Sequence, residues 1–210
     1  MLNIVFFGIQ GSGKGTQAVL LEKKHKFDHV SIGDLLREHM ADKTELGEKI
    51  KKYMLAGELV PDEYIFSLIE DILHPKAHGI IFDGFPRTLR QAKFMEERIP
   101  VNYAVYFDLD DETAIKRLTA RRVCKNCNRD FNLLLKPPKK EGQCDHCGGE
   151  LIQRDDDHKE AIVRRIKIFH QRTKPLIEFY EEKDKYIHID ASDPPDKIFQ
   201  SLVNSIKIEQ

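Results

Sequence analysis

The sequence predicts an α/β protein, a parallel sheet covered by helices, with one small cysteine-bearing module inserted late in the chain. Three observations predict it. Short β-branched and aromatic runs alternate with longer amphipathic ones, the rhythm of strand–helix–strand units. The run Gly8-Ile9-Gln10-Gly11-Ser12-Gly13-Lys14-Gly15-Thr16 joins the first such strand to the first helix. Residues 122–157 then break the rhythm with four cysteines, Pro137-Pro138, three glycines and a dense mix of charges.

Taken in order, candidate strands fall at 3–7, 29–32, 79–83, 103–109 and 186–190. Helix-like segments follow the first four, at 14–24, 34–41, 88–98 and 111–121. Two further helices, near 45–55 and 61–73, lie between the second and third strands; Asp62 after Pro61 suits a helix start. A long helical stretch at 158–183 carries Ile162, Ile166 and Phe169 at helical spacing, the mark of a core-facing side. The terminal helix, near 195–207, repeats Ile198, Leu202 and Ile206 at the same spacing.

The glycine run is a phosphate-binding loop by its context as much as by its letters. Glycines let successive backbone N–H groups point into one concavity, the helix N-terminus adds partial positive charge, and Lys14 supplies a full one. Gly15 stands where Ser or Thr normally follows the lysine, and the hydroxyl comes one residue later at Thr16. The ligand implied is a nucleoside polyphosphate.

Composition narrows the class. A net charge of −1 over 210 residues, a third of them charged, is that of an ordinary single-domain protein and not of a dedicated polyanion binder. No apolar run approaches the roughly 20 residues that span a bilayer. No basic region with a long apolar stretch precedes the first strand, so the expectation is a cytoplasmic protein with reduced thiols.

Cys124-x-x-Cys127 and Cys144-x-x-Cys147, sixteen residues apart, carry the spacing of a four-thiolate zinc site. Such a set leaves no open coordination position, so the Zn²⁺ is expected to be structural. Disulfides are the competing reading, disfavoured by the compartment. A nucleic-acid-binding zinc ribbon is a second alternative. Its basic residues are interleaved with Asp130, Glu141, Asp145, Glu150 and Asp155-Asp156-Asp157, and Phe131 is its one aromatic, a poor single-strand platform.

Ile80-Ile81-Phe82-Asp83 is an apolar strand closing on a carboxylate, which beside a phosphate loop suits the hydration shell of Mg²⁺. Gly84-Phe85-Pro86-Arg87 then presents an arginine at the carboxyl end of the sheet, where ligands of doubly wound folds sit. Arg37, Arg117, Arg121, Arg154 and Arg165 could join it. Phosphoryl transfer needs several fixed cations around spreading charge, and the planar, permanently protonated guanidinium suits that task.

Together these residues form a set. The loop at 8–17, Ser31-Ile32-Gly33-Asp34-Leu35-Leu36-Arg37, Asp83-Gly84-Phe85-Pro86-Arg87 with Gln91, and Arg154-Asp155-Asp156-Asp157 resemble the adenylate kinases over essentially the whole chain. The four-cysteine insert is similar to the zinc-bearing lid of the bacterial members. The resemblance implies MgATP + AMP ⇌ MgADP + ADP by direct in-line transfer, in a monomer that binds ATP, AMP and ADP but neither nucleic acid nor membrane. It implies a three-layer P-loop kinase fold with a five-stranded parallel sheet. The core would be 1–30, 61–121 and 159–210, the helical AMP-binding insert 31–60, and the lid 122–158.

Carried over by residue, Gly11, Ser12, Gly13, Lys14, Gly15 and Thr16 would cradle the ATP phosphates, with Arg121, Asp130 and Phe131 reaching ATP from the lid. Ile32, Arg37, Glu58, Leu59, Val60, Gly84, Phe85, Pro86, Arg87 and Gln91 would form the AMP site, the glutamine reading the base. Arg117, Arg154 and Arg165 would converge on the transferring group, and Asp83 would organise Mg²⁺ through water. Three positions depart from the family pattern: Gln10 replaces a proline, Asp130 brings a like charge toward the polyphosphate, and Ile32 replaces a threonine. The rivals are a pyrimidine or GTP-using monophosphate kinase, a nucleic-acid-binding ATPase-like protein, and a nucleotide sensor without turnover.

Overall fold

The computed structural model of the chain describes residues 2–72 and 79–207. Its central sheet is parallel throughout, in the order β2-β3-β1-β4-β8. These strands are β1 (Leu2–Gly8), β2 (Asp28–Ser31), β3 (Gly79–Asp83), β4 (Tyr103–Asp108) and β8 (Tyr186–Asp190). Helices cover both faces, so the central strands are near-continuous apolar runs: Ile4, Val5, Phe6, Ile81, Phe82, Ala104 and Val105 have no exposed surface. The register brings Ser31 and Phe6 beside Asp83, and Gly8 beside Phe107, so the carboxyl ends of four strands share one edge.

The covering helices are α1 (Lys14–His25), α2 (Ile32–Ala41), α3 (Glu45–Ala56), α4 (Asp62–Ile72), α5 (Leu89–Arg98), α6 (Asp111–Thr119), α7 (Lys159–Ile168), α8 (Leu176–Glu181) and α9 (Pro195–Ser205). Position 73, expected to end α4, lies outside the described residues. Three expectations need correction. Ile32 opens α2 instead of closing β2, because the Ser31 side chain accepts a bond from Asp34 N–H and caps the helix. The helix expected at 111–121 ends at Thr119, since Arg121 pairs with Asn132 in a second sheet. The stretch at 158–183 is broken by a π-helical turn, Phe169–Thr173, in which Lys174 N–H reaches back to Phe169 O at 2.9 Å. Pro175, with no N–H to give, follows directly.

The second sheet is the small antiparallel order β6-β5-β7, formed by β5 (Arg121–Cys124), β6 (Asp130–Asn132) and β7 (Leu151–Ile152). Its apolar centre is Cys124, Phe131, Cys144 and Leu151. So small a core orders a module of this length only with an added crosslink. Among the described residues, no helix is long and apolar enough to cross a membrane.

Candidate active site

A cavity of about 580 Å³ opens at the carboxyl edge of the main sheet, between α2–α3 on one side and the β5–β7 module on the other. Its floor is the glycine loop. Gly8 holds φ +145° with Phe107 O only 2.5 Å from where a Cβ would stand, and Gly13 turns at φ +89° to cap α1. No other residue type fits either position without strain. Lys14 folds back over the loop, its Nζ donating to Gly8 O at 2.9 Å, Ile9 O at 2.8 Å and Ser12 Oγ at 3.2 Å. Burial pushes the Lys14 ammonium down to about 8, partly countered by Asp83 and reinforced by Arg87 and Arg121.

Asp83 ends β3 beside this loop. Its Oδ2 lies 3.2 Å from where a Gly15 Cβ would stand, and His29 Nε2 is 3.6 Å away. That closeness gives a reason for glycine after the lysine: a larger residue there would crowd the carboxylate. Oxygen donors at the loop, with Thr16 next in sequence, fit a hydrated Mg²⁺. Arg87 follows the cis Phe85–Pro86 peptide, anchored by Nε to Gly84 O at 2.7 Å and by Thr173 Oγ1 on its own carbonyl at 2.9 Å.

The cations gather around two aspartates. Arg121 grips Asp157 through Nε at 2.8 Å and Nη2 at 2.7 Å, and Arg165 Nη2 reaches the same carboxylate at 3.0 Å. Asp156 lies 3.6 Å from Arg37 and 3.7 Å from Arg165. Arg154 bonds Asp130 at 2.8 Å and stands 3.7 Å from Asp34. The charge of Asp130 is thus met within the module. Burial lowers Arg87, Arg154 and Arg165, neighbouring guanidiniums adding to the effect in each. All stay protonated, and the cluster favours a polyanion between them. Burial raises Asp157, but Arg121, Arg165 and Arg154 outweigh it and hold the carboxyl below its ordinary value.

Asp157 is 1% exposed, so removing its charge takes from Arg121 its bidentate partner and leaves Arg165 only Asp156 at 3.7 Å. We expect Asp157→Asn to cost about 3–5 kcal/mol, a fall in Tm of roughly 10 °C by differential scanning calorimetry. Because the folded-state value is depressed, this contribution is complete above the unfolded carboxyl's value of about 4 and fades as pH falls below it. The difference between wild type and variant should therefore shrink in acid.

Every loop and AMP-side position expected from sequence lines the cavity, as do Arg121, Asp130, Phe131, Arg154 and Arg165. Arg117 needs correction. It lines the cavity but not the cluster: its guanidinium donates to Ala191 O at 3.0 Å and Ser192 O at 3.5 Å. Arg117 sits in the last turn of α6, whereas Arg121 opens β5 and turns to Asp157. Glu58 turns its carboxylate to Arg164, leaving Leu59 and Val60 to line the wall beside it. Gln91 accepts Arg87 N–H on Oε1 and donates Nε2 to Asp62 Oδ1, both at 2.8 Å.

Sequence reading missed the loop Ser192–Pro195, which closes the end of the cavity near Arg117, and Asn132, whose Nδ2 holds Arg117 O at 2.8 Å. Neither belongs to a motif. The partnering of Asp34 with Arg154 was equally invisible, since it joins separate segments, whereas its pair with Arg37 is an i,i+3 contact within α2.

The four cysteines are free, and their sulfurs all lie within 4.8 Å of one another. Cys124–Cys147 and Cys127–Cys144 stand 3.4 and 3.7 Å apart. A tetrahedral ion with Zn–S bonds of about 2.3 Å separates its sulfurs by about 3.8 Å, so the residues fit zinc. His146 N–H donates to Cys144 Sγ at 3.4 Å, the kind of outer contact that orients a thiolate ligand.

A glycine loop with its lysine, a strand-end carboxylate and a ring of arginines define a P-loop phosphotransferase with a four-cysteine lid. A sequence model of the family described as adenylate kinase matches residues 6–185. The chain is 42% identical over 208 residues to the adenylate kinase of Methanothrix thermoacetophila, covering 96% of each. It is 38% identical over 213 residues to that of Thermosipho africanus, covering 98% of this chain and 100% of the relative. Identity to the Hydrogenobaculum sp. adenylate kinase is 42% over 205 residues, 95% of this chain and 97% of that one. The chain belongs to the adenylate kinase family, with the phosphotransferase activity between ATP and AMP that the family carries.

Proposed function

We propose that donor and acceptor occupy the one cavity together and exchange the phosphoryl group directly, without a phosphoenzyme. One observation carries this: Lys14, Asp83, Arg87, Arg121, Arg154 and Arg165 all face a single space large enough for two nucleotides' phosphates. Gly11 to Thr16 hold the donor's β and γ groups. Arg117 and the Ser192–Pro195 loop flank the donor base, a role that replaces convergence on the transferring group. Arg37 and Arg87 hold the AMP phosphate, Leu59, Val60 and Gln91 its base, while Arg121, Arg154 and Arg165 stabilise the equatorial charge. No general base is needed, because the AMP phosphate is already anionic.

Asp83 would hold Mg²⁺ through water, and the ion, when bound, neutralises charge on the donor phosphates. Zn²⁺ on Cys124, Cys127, Cys144 and Cys147 is structural. Closure of the lid at 122–158 over the insert at 31–60 excludes water, supported by the pairs Arg154–Asp34 and Arg37–Asp156 that already cross between them. The protein works as a cytoplasmic monomer and binds neither nucleic acid nor membrane. A coupled assay of ADP formed from ATP with each nucleoside monophosphate tests the acceptor: AMP should be used best, and equal use of UMP or CMP would reject the assignment.

Ile32 is 2% exposed at the head of α2 and lines the cavity. A threonine there would add a hydroxyl at the AMP pocket, worth about 0.5–1.5 kcal/mol in a typical bond. We expect Ile32→Thr to lower KM for AMP by about two- to tenfold, leaving kcat and KM for ATP unchanged. An unchanged or higher KM for AMP would mean that apolar packing is what Ile32 supplies.

A further inference from the structure

Gln91 is 3% exposed, yet it forms part of the cavity wall beside Val60 and Ile65. Its amide has two poles, and each already meets a group that accepts only one of them. The Arg87 backbone N–H, a donor only, gives to Oε1 at 2.8 Å. The Asp62 carboxylate, which can only accept, receives a hydrogen bond from Nε2 at 2.8 Å. Turning the amide over would set oxygen against carboxylate and N–H against N–H. Its polarity is therefore fixed by the protein before any ligand arrives.

One lone pair on Oε1 and one proton on Nε2 remain free. That pattern is complementary to adenine, whose 6-amino donor sits beside a ring-nitrogen acceptor. A 6-oxopurine presents the reverse, an acceptor O6 beside an N1–H donor, and a freely turning glutamine would serve both. Asp62 is the side-chain half of the lock. It opens α4, stands outside the cavity lining, and is held from behind by Arg90 Nη1, 3.5 Å from its second oxygen.

We propose that Asp62 is a positioning residue for base selection: by fixing the polarity of Gln91 it favours 6-aminopurine monophosphates over 6-oxopurine ones. This rests on the reading above that Gln91 faces the acceptor base. The test compares AMP with inosine monophosphate as acceptors for wild type, Asp62→Asn and Asp62→Ala, with Gln91→Leu as the check on the site itself. In the Asp62 variants the ratio of kcat/KM for the two acceptors should fall about tenfold, as expected for loss of one charge-assisted bond. The AMP loss should lie in KM, with kcat and KM for ATP held. A folded Asp62 variant, by calorimetry, whose ratio is unchanged overturns the proposal, as does an equal loss with both acceptors. Gln91→Leu that leaves KM for AMP unmoved overturns the placement of the base, and a raised KM there with unchanged Asp62 ratios overturns the Asp62 lock alone.

Discussion

Lys14→Ala should lower kcat by about 10²–10³-fold or more while the protein stays folded, since it removes a fixed charge aimed at developing phosphoryl charge. The lysine's present bonds are to Gly8 O, Ile9 O and Ser12 Oγ, all within its own loop, and Asp83, whose charge also acts on it, keeps Arg87 as a neighbouring cation. Calorimetry should show Tm within a few degrees of wild type. The ammonium, lowered to about 8 by burial, adds a pH signature. The charged form binds phosphate, so kcat/KM for MgATP in the free enzyme should decline as pH rises above about 8. In the ternary complex the bound polyphosphate restores the charge, and kcat should hold to higher pH. Near-normal turnover by folded Lys14→Ala protein would remove the loop from the chemistry.

The second large effect concerns the lid. Cys124, Phe131, Cys144 and Leu151 are its whole apolar centre, so under the zinc proposal the binding free energy of the ion would be folding free energy for the module. Cys144→Ser, or removal of the metal by a strong chelator, should lower the lid's unfolding midpoint by roughly 10 °C or more. Phosphoryl transfer at moderate temperature should survive better than stability does, because no cysteine lines the cavity. Metal analysis should give one zinc per chain. Absence of zinc in freshly purified protein, or cysteine pairs linked as disulfides by mass spectrometry, would contradict it.

The parts legible in the sequence are those where one segment carries its own reason. The glycine loop, Asp83-Gly84-Phe85-Pro86-Arg87 and the paired Cys-x-x-Cys turns are local, and each lands where its letters imply. Strands 79–83 and 186–190 match to the residue, because both run apolar between clear breaks. Where two local rules compete, reading one of them fails. The β-branch of Ile32 suggested strand, but Ser31 capping started the helix. Arg117 ends α6 while Arg121 starts β5, and the carbonyls of Ala191 and Ser192, far along the chain, hold the Arg117 guanidinium. The partnerships of Asp157, Asp34 and Asp62 are properties of the folded chain: each joins segments that no spacing relates.

The account's central claim is that both nucleotides share the cavity and the group moves directly between them. Rapid-quench single turnover with γ-³²P-labelled ATP and AMP measures this. The label should pass into ADP in step with AMP consumption, with none on acid-precipitated protein at any time and little released as inorganic phosphate. Labelled protein that forms and decays on the reaction's own timescale, or label lost to water as fast as to AMP, would contradict it.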